Sequence, residues 1–320
     1  MAANTNLHKA KTAKNDEFYT QLTDVSKELM HYKKHFKNKV VFCNCDDPTW
    51  SAFWKYFHLN FSALGLKKLI STHYDKTEPT YKMEYEGGDD NNIEVGVKTP
   101  LEGNGDFRNQ ECLDLLDEAD IVVTNPPFSL FREYVAVLME HEKKFLIIGN
   151  QNAISYGDIF PLLKSNRIWM GCHNGDMAFM VPADSEPRET RFWIDENGQK
   201  WRSLGNAMWI TNLDHNKRHE KLILWKKYNQ DEYPTYDNYK AINVDKYADI
   251  PEDYDGVMGV PITFLQYYCP EQFEILGQTN KKDVSAETES LRTDPIHRHG
   301  GLINGKEKYM RILIRKKVGA

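Results

Sequence analysis

A chain of 320 residues, 40% hydrophobic and 28% charged with a mean hydropathy of −0.66, suits one large domain or two modest ones with buried cores. No apolar run approaches the ~20 residues that span a bilayer, and the segment from Met1 to Lys9 has no hydrophobic h-region, so a membrane-spanning helix is excluded and a cytoplasmic protein is expected. A net charge of −6 is not the footprint of a sequence-blind nucleic-acid coater.

In chain order, Asp16-Glu-Phe-Tyr-Thr-Gln21 reads locally as a helix start. Lys39 to Cys45 is a short buried strand ended by Asp46-Asp47-Pro48. Cys43 and Cys45 lie one residue apart, but no second close Cys or His pair completes a zinc site, so no metal is expected. The remaining cysteines, Cys112, Cys172 and Cys269, are irregularly spaced, which argues against a disulfide framework and for a reducing compartment. Ser51 to Leu64 carries Phe53, Trp54, Phe57, Phe61 and Leu64 at helical spacing, with Gly65 as a stop. Leu66 to Ser71 is the next strand. A polar, glycine-rich excursion covers Gly87 to Gly105. Glu111 to Ala119 is helical, Asp120 to Thr124 a strand, Leu130 to His141 a helix and Lys144 to Gly149 a strand.

Strands alternating with helices at this pitch predict an α/β fold with a parallel, doubly wound, Rossmann-like sheet. After about residue 165 the pattern changes. Arg167–Val181 and Arg191–Thr211 read as β-hairpins, the second turning at Glu196-Asn197-Gly198. Residues 229–256, rich in Tyr, Asp and Pro, read as an ordered connector, and Val257 to Ala320 mixes short strands with loops. Basic clusters at Lys9–Lys14, Lys33–Lys39, His215–Lys227 and Arg311–Lys317 alternate with acidic ones at Glu84–Asp90 and Asp249–Asp255, which fits DNA binding on one face and equally an ordinary solvated surface.

Ligands of such sheets sit beyond the carboxyl ends of the strands. Asp46, Asp75, Asp106 and Asn125 all fall at or near such ends. Asn125-Pro126-Pro127-Phe128 is the most informative of them. A strand running into two prolines loses its ladder, because proline has no N–H and fixes φ. The result is a rigid turn in which the Asn125 amide oxygen and the Pro126 carbonyl are acceptors beside an aromatic ring. That arrangement suits an exocyclic amino group on a flat heterocycle. Cys43-Asn44-Cys45-Asp46 takes the place of a glycine-rich loop but lacks G-x-G, so Asn44 and small residues must shape the turn. Asp46 or Asp47 either accepts from a cofactor's amino group or ribose, or caps the following helix.

Taken together, Asp16–Gln21, Cys43–Pro48, Gly105–Arg108 and Asn125–Phe128 resemble the EcoRI-type family of adenine-specific DNA methyltransferases. The resemblance continues through Ser129 to Tyr134, Ile147 to Asn150, Tyr254 to Leu265 and Pro270 to Gly277, spanning about residues 8–280. It implies S-adenosyl-L-methionine (AdoMet) as cofactor, with Phe18, Tyr19 and Thr20 at its methionine end, although Gln21 replaces the usual proline of that motif. Cys43, Asn44 and Asp46 would line the loop, Asp75 the ribose, and Asp106 with Phe107 the cofactor adenine. It further implies Asn125, Pro126, Pro127 and Phe128 as the catalytic motif, acting on a flipped-out adenine in double-stranded DNA. On this reading residues 1–165 form the AdoMet-binding and catalytic core. Residues 166–228 complete the sheet with hairpin insertions that contact DNA, and 229–320 form the connector and a β-rich target-recognition region. His297–Gly301 and Lys306–Lys317 are candidate DNA contacts. A cognate restriction endonuclease acting on the same site, without a stable complex, is the implied functional partner; an orphan modifier is the other possibility. The competing readings are a methyltransferase acting on RNA or on protein glutamine, and a non-catalytic DNA-binding relative.

Overall fold

The computed structural model describes residues 18–75, 79–280, 282–294, 299–317 and 319. The Lys9–Lys14 cluster, Asp16, Glu17, His297 and Arg298 lie outside the described residues. The chain divides into two compact units, one of residues 1–151 with 170–214, the other of 152–169 with 215–320.

The first unit is built on β1 (Val40–Cys43), β2 (Lys68–His73), β3 (Tyr81–Tyr85), β4 (Val97–Pro100), β5 (Ile121–Thr124) and β6 (Lys144–Asn150). Its centre is parallel, in the order β2-β1-β5-β6, with Val40 beside Lys68, Val41 beside Ile121 and Ile121 beside Lys144. All four residues of β1 and of β5 are buried, as expected of parallel strands covered on both faces. The glycine-rich excursion holds a hairpin that its polarity hides: β3 lies antiparallel on β2, and β4 antiparallel on β3.

Helices α1 (Leu22–Leu29), α2 (Ala52–Leu59), α3 (Phe61–Leu64), α4 (Gln110–Glu118) and α5 (Phe131–Glu140) accompany the sheet. The predicted helix over 51–64 divides at Asn60 into α2 and α3. Ser51 caps α2, its Oγ accepting from the backbone of Phe53 and Trp54 at 3.1 Å each. Gly65 ends α3 in the left-handed conformation, φ 64°. Phe53, Trp54 and Phe57 pack into one core with Val25, Leu29, Tyr32 and Phe36, each large apolar side chain contributing roughly 1.5–3 kcal/mol by burial. Glu28 anchors α1: its buried carboxylate accepts from Tyr32 Oη at 2.9 Å and from the backbone of Cys172 and His173 at 2.7 and 2.8 Å.

Beyond β6 the sheet turns antiparallel. It continues through β7 (Trp169–Met170), β8 (Gly175–Met180), β9 (Phe192–Ile194) and the twelve-residue β10 (Lys200–Thr211). Thr211 pairs with Leu146 and Ala207 with Asn150. The hairpin expected over 191–211 is present as β9–β10, with Asp195 Oδ1 accepting from the backbone of Asn197 and Gln199 across its turn. The hairpin expected over 167–181 is not. β7 and β8 do not pair with each other; both pair with β10. The physical reason is Gly171, whose N–H bonds the Trp209 carbonyl at 2.8 Å, so the chain keeps running along β10 instead of folding back.

The second unit carries a smaller sheet, β11 (Ile242–Asn243), β12 (Met258–Pro261), β13 (Phe273–Gln278) and β16 (Arg311–Lys316), in the order β11-β12-β16-β13. A two-stranded ribbon, β14 (Leu302–Ile303) with β15 (Lys306–Glu307), and the short helices α6 (Phe160–Lys164) and α7 (Ala286–Leu291) complete it. Tyr236 Oη, from the connector, donates to Asn243 Oδ1 at 2.8 Å and so ties that segment to β11. Ile312, Leu313 and Ile314 are fully buried, which makes the basic stretch at 311–317 a core strand with charged ends. No helix of the described residues is long and apolar enough to cross a membrane.

Candidate active site

The proline pair ends β5 as the sequence predicts: the ladder stops at Thr124, and Phe128–Leu130 forms a single 3-10 turn before α5. Asn125 is fixed from two sides. Its backbone N–H donates to Asp46 Oδ2 at 3.3 Å, and its Nδ2 donates to the Phe18 carbonyl at 2.6 Å. The second contact decides the amide orientation, because a carbonyl can face only the nitrogen. Asn125 Oδ1 is thereby left buried and without a hydrogen-bond partner among the described residues. A buried acceptor in that state is costly unless something else satisfies it.

Phe18–Thr20 lies against the same motif although more than a hundred residues separate them. The Phe18 ring stacks on Phe128, centroids 5.3 Å apart, and meets Phe179 edge-on at 5.4 Å. The Arg202 guanidinium lies 5.1 Å from the Phe18 ring centroid. Tyr19 exchanges backbone hydrogen bonds with Met180 and packs its ring on Trp50 at 4.3 Å. Thr20 is buried, and its Oγ1 has no partner among the described residues.

The loop after β1 makes its turn without glycine. Cys45 takes the left-handed conformation itself, φ 65°, at a cost of about 1–2 kcal/mol for an L-residue. Asn44 offsets that cost: its buried Oδ1 accepts from Cys45 N at 2.9 Å and Thr72 Oγ1 at 3.0 Å. Cys43 is buried within β1. Asp46 points inward. Its Oδ1 accepts from Ser51 Oγ at 3.1 Å, and Oδ2 lies 2.5 Å from Thr124 Oγ1. Burial pushes its pKa up to about 7, against the lowering effect of the hydrogen bonds from Thr124, Asn125 and Ser51. Asp47 faces away, accepting from Tyr81 Oη at 2.8 Å and pairing with His73 at 2.9 Å.

The loop before α4 folds over the end of β2. Asp75 N donates to the Asn104 carbonyl at 3.2 Å, and Gly105, at φ +73°, sits so close to His73 that a Cβ would meet its carbonyl oxygen at 2.3 Å. Asp106 is clamped by its neighbour: Arg108 Nε and Nη2 donate to its two oxygens at 2.9 and 2.6 Å, while Arg108 Nη1 reaches Glu133 at 2.8 Å. Phe107 is buried edge-on against Tyr134, centroids 4.9 Å apart, and Tyr134 Oη is itself buried without a partner among the described residues. Sequence reading missed Ser51, Arg108, Thr124 and Tyr134. Each had a positional signal: Thr124 adjoins Asn125, Arg108 and Tyr134 lie within segments of the family resemblance, and Ser51 opens a predicted helix.

The doubly wound sheet holds the Asn-Pro-Pro-Phe turn against the Phe-Tyr-Thr segment, and the family comparison supplies the class of protein. The family described as Adenine-specific methyltransferase EcoRI matches residues 6–317, and the chain belongs to it: it is an adenine-specific DNA methyltransferase. It is similar to the Type II methyltransferase M.EcoRI of Escherichia coli, 47% identical over 99% of this chain and 98% of that protein. Two mycoplasmal proteins are also similar, M.MgeORF184P of Mycoplasma genitalium and M.MpnI of Mycoplasma pneumoniae. Each is 38% identical, covering 97% of this chain and 98% of its own length. No solved structure matches the chain.

Proposed function

We propose that the protein transfers a methyl group from AdoMet to N6 of an adenine flipped out of duplex DNA, with Asn125-Pro126-Pro127-Phe128 as the catalytic motif. The buried Asn125 Oδ1, without a partner among the described residues, carries this reading. The adenine amine is a weak nucleophile because its lone pair is delocalised into the ring. Asn125 Oδ1 and the Pro126 carbonyl would accept its two N–H bonds and so favour a pyramidal nitrogen with a free lone pair. Phe128, backed by Phe18, would stack on the base. AdoMet, when bound, supplies the methyl group on a sulfonium centre. Transfer would form the carbon–nitrogen bond as the donor's carbon–sulfur bond breaks, at an amine held by Asn125 and Pro126, and would release the amine's extra proton to solvent. Catalysis is then positioning and charge matching.

The buried Thr20 hydroxyl, without a partner among the described residues, supports a place for that cofactor beside Phe18 and Tyr19. Cys43 and Asn44 would wall the loop side, Asp75 would meet the ribose, and Asp106 with Phe107 would meet the adenine of AdoMet, which requires Asp106 to share its carboxylate with Arg108. Residues 166–228 would complete the sheet and contact DNA, and 229–320 would read the target. Lys306 and Lys308 are exposed there beside Tyr309, which is 89% exposed. Arg311, Arg315 and Lys316 are ion-paired with Asp245, Glu274 and Asp255 and are weaker choices. A cytoplasmic protein protecting DNA from a cognate restriction endonuclease fits this chemistry.

The test is transfer of tritium from labelled AdoMet to unmethylated duplex DNA, beside an RNA control and Asn125→Ala. Label on DNA adenine, reduced roughly 10²–10³-fold in the variant, is the expected result. Label on RNA, or full activity of the variant, overturns the reading.

A further inference from the structure

Behind Asn125 the buried oxygens outnumber the protons that an ionised Asp46 would leave among them. Thr124 Oγ1 is within hydrogen-bond distance of two oxygens, the Asn44 carbonyl and Asp46 Oδ2. A hydroxyl has one hydrogen and donates once. With Asp46 ionised, one of these close contacts would set lone pair against lone pair, at a threonine that is fully buried. A proton on Asp46 Oδ2 removes the conflict. Asp46 then donates to Thr124 Oγ1, and Thr124 donates to the Asn44 carbonyl. Oδ2 keeps a lone pair for the Asn125 N–H at 3.3 Å. Ser51 donates its one hydrogen to Oδ1 while its lone pairs accept from Phe53 N and Trp54 N. The Asp46 carboxyl and the Thr124 and Ser51 hydroxyls are then all matched.

We infer that Asp46 is a positioning residue for methyl transfer, a neutral acid that works through Thr124 and the Asn125 backbone to aim the Asn125 amide oxygen. The inference rests on the role proposed above for Asn125. It gives Asp46 a duty other than contact with cofactor, since both carboxyl oxygens are engaged inside the protein. The surrounding groups favour the neutral form. Asp47 on the same loop repels a charge on Asp46, and the thiols of Cys43 and Cys45 and the phenol of Tyr134 on α5 interact with it unfavourably as anions. Asp106 adds to the negative surroundings of Cys45, and His73 on β2 pairs with Asp47. Burial accordingly holds the Asp46 pKa near 7. As pH rises through that value, Asp46 ionises, Thr124 loses its donor and must choose one acceptor, and Asn125 loses its alignment.

The experiment is single-turnover methyl transfer to duplex DNA at saturating AdoMet, followed from below to above pH 7, for the wild type, Asp46→Asn, Thr124→Val and Thr124→Ser. Infrared difference spectra of the wild type and Asp46→Asn follow the stretch of a protonated carboxyl. The wild-type rate is expected to fall as pH rises while the carboxyl band fades over the same range. Asp46→Asn, which cannot ionise, should be slower with a flat profile and no band. Thr124→Val should lose roughly tenfold in rate, one hydrogen bond's worth, with little change in the KM for AdoMet, and Thr124→Ser should recover most of it. Parallel pH profiles for the wild type and Asp46→Asn, full activity of Thr124→Val, or no carboxyl band below pH 7 would overturn the inference. Failure of the wild type to methylate DNA would instead strike the parent reading, and the infrared titration would still decide the state of Asp46.

Discussion

Replacing Gly105 by alanine probes whether the loop before α4 holds the cofactor. Gly105 has φ +73°, and a Cβ there would lie 2.3 Å from the His73 carbonyl oxygen and 3.1 Å from Tyr74 Cα. Ordinary contact begins near 3.4 Å, so the loop must open by about 1 Å to relieve the overlap. The left-handed backbone costs alanine a further 1–2 kcal/mol or so, of which about 0.4–1 kcal/mol is offset by the stiffer unfolded chain. With about 1–3 kcal/mol for relieving the overlap, folding stability should drop by roughly 1–4 kcal/mol in all, readable as a shift of the urea midpoint at constant m. The functional effect should be larger. The displaced loop carries Asp106 and Phe107, and a shift of about 1 Å can cost up to roughly 10²-fold where geometry matters. Calorimetric titration should show AdoMet affinity reduced by roughly 10- to 100-fold, with the affinity for duplex DNA, measured by anisotropy, unchanged. If stability falls as expected but AdoMet binds within about twofold of wild type, the loop moves without the cofactor sensing it. Asp106 and Phe107 would then not be its adenine site.

Glu28→Gln should destabilise the protein by about 1–3 kcal/mol in urea unfolding, because an amide NH2 must then face a buried donor, Tyr32 Oη or the backbone N–H of Cys172 or His173. Asp46 keeps its proton in the folded chain up to about pH 7, whereas the unfolded chain releases it near 3.8. The stability it contributes is complete below the lower value and is lost as pH rises through the higher one, roughly 4 kcal/mol in all. Asp46→Asn should remove that slope from a urea series run across the same range; an unchanged slope would mean that Asp46 is not its source. At Cys45, held at φ 65°, Gly should be nearly neutral because relief of backbone strain and the added freedom of the unfolded chain cancel. Val should cost about 1–2 kcal/mol, since a β-branched residue resists that conformation, and equal stabilities of the two variants would show that the turn is not strained.

The alternating strands and helices of residues 39–150 were legible because buried parallel strands and amphipathic helices leave their periods in the chain itself. Val40–Cys43, Ile121–Thr124 and the Gly65 stop needed no tertiary information. The Asn-Pro-Pro-Phe turn was legible for the same kind of reason: proline removes the N–H and sets φ wherever it stands. The β3–β4 hairpin and the joint pairing of β7 and β8 with β10 were not, since edge strands with mixed faces carry weak periodicity and their partners are chosen across the fold. The orientation of the Asn125 amide was likewise invisible. It depends on the carbonyl of Phe18, 107 positions away, which only the closed sheet brings within reach. The inward turn of Asp46 toward Thr124, 78 positions on, has the same origin. Local sequence thus determined where strands end and turns form, and the family resemblance singled out the residues proposed to carry the chemistry. How their polar atoms are oriented was decided by backbone groups and buried acids remote in sequence, because a hydrogen bond depends on distance in space and leaves no period in the chain.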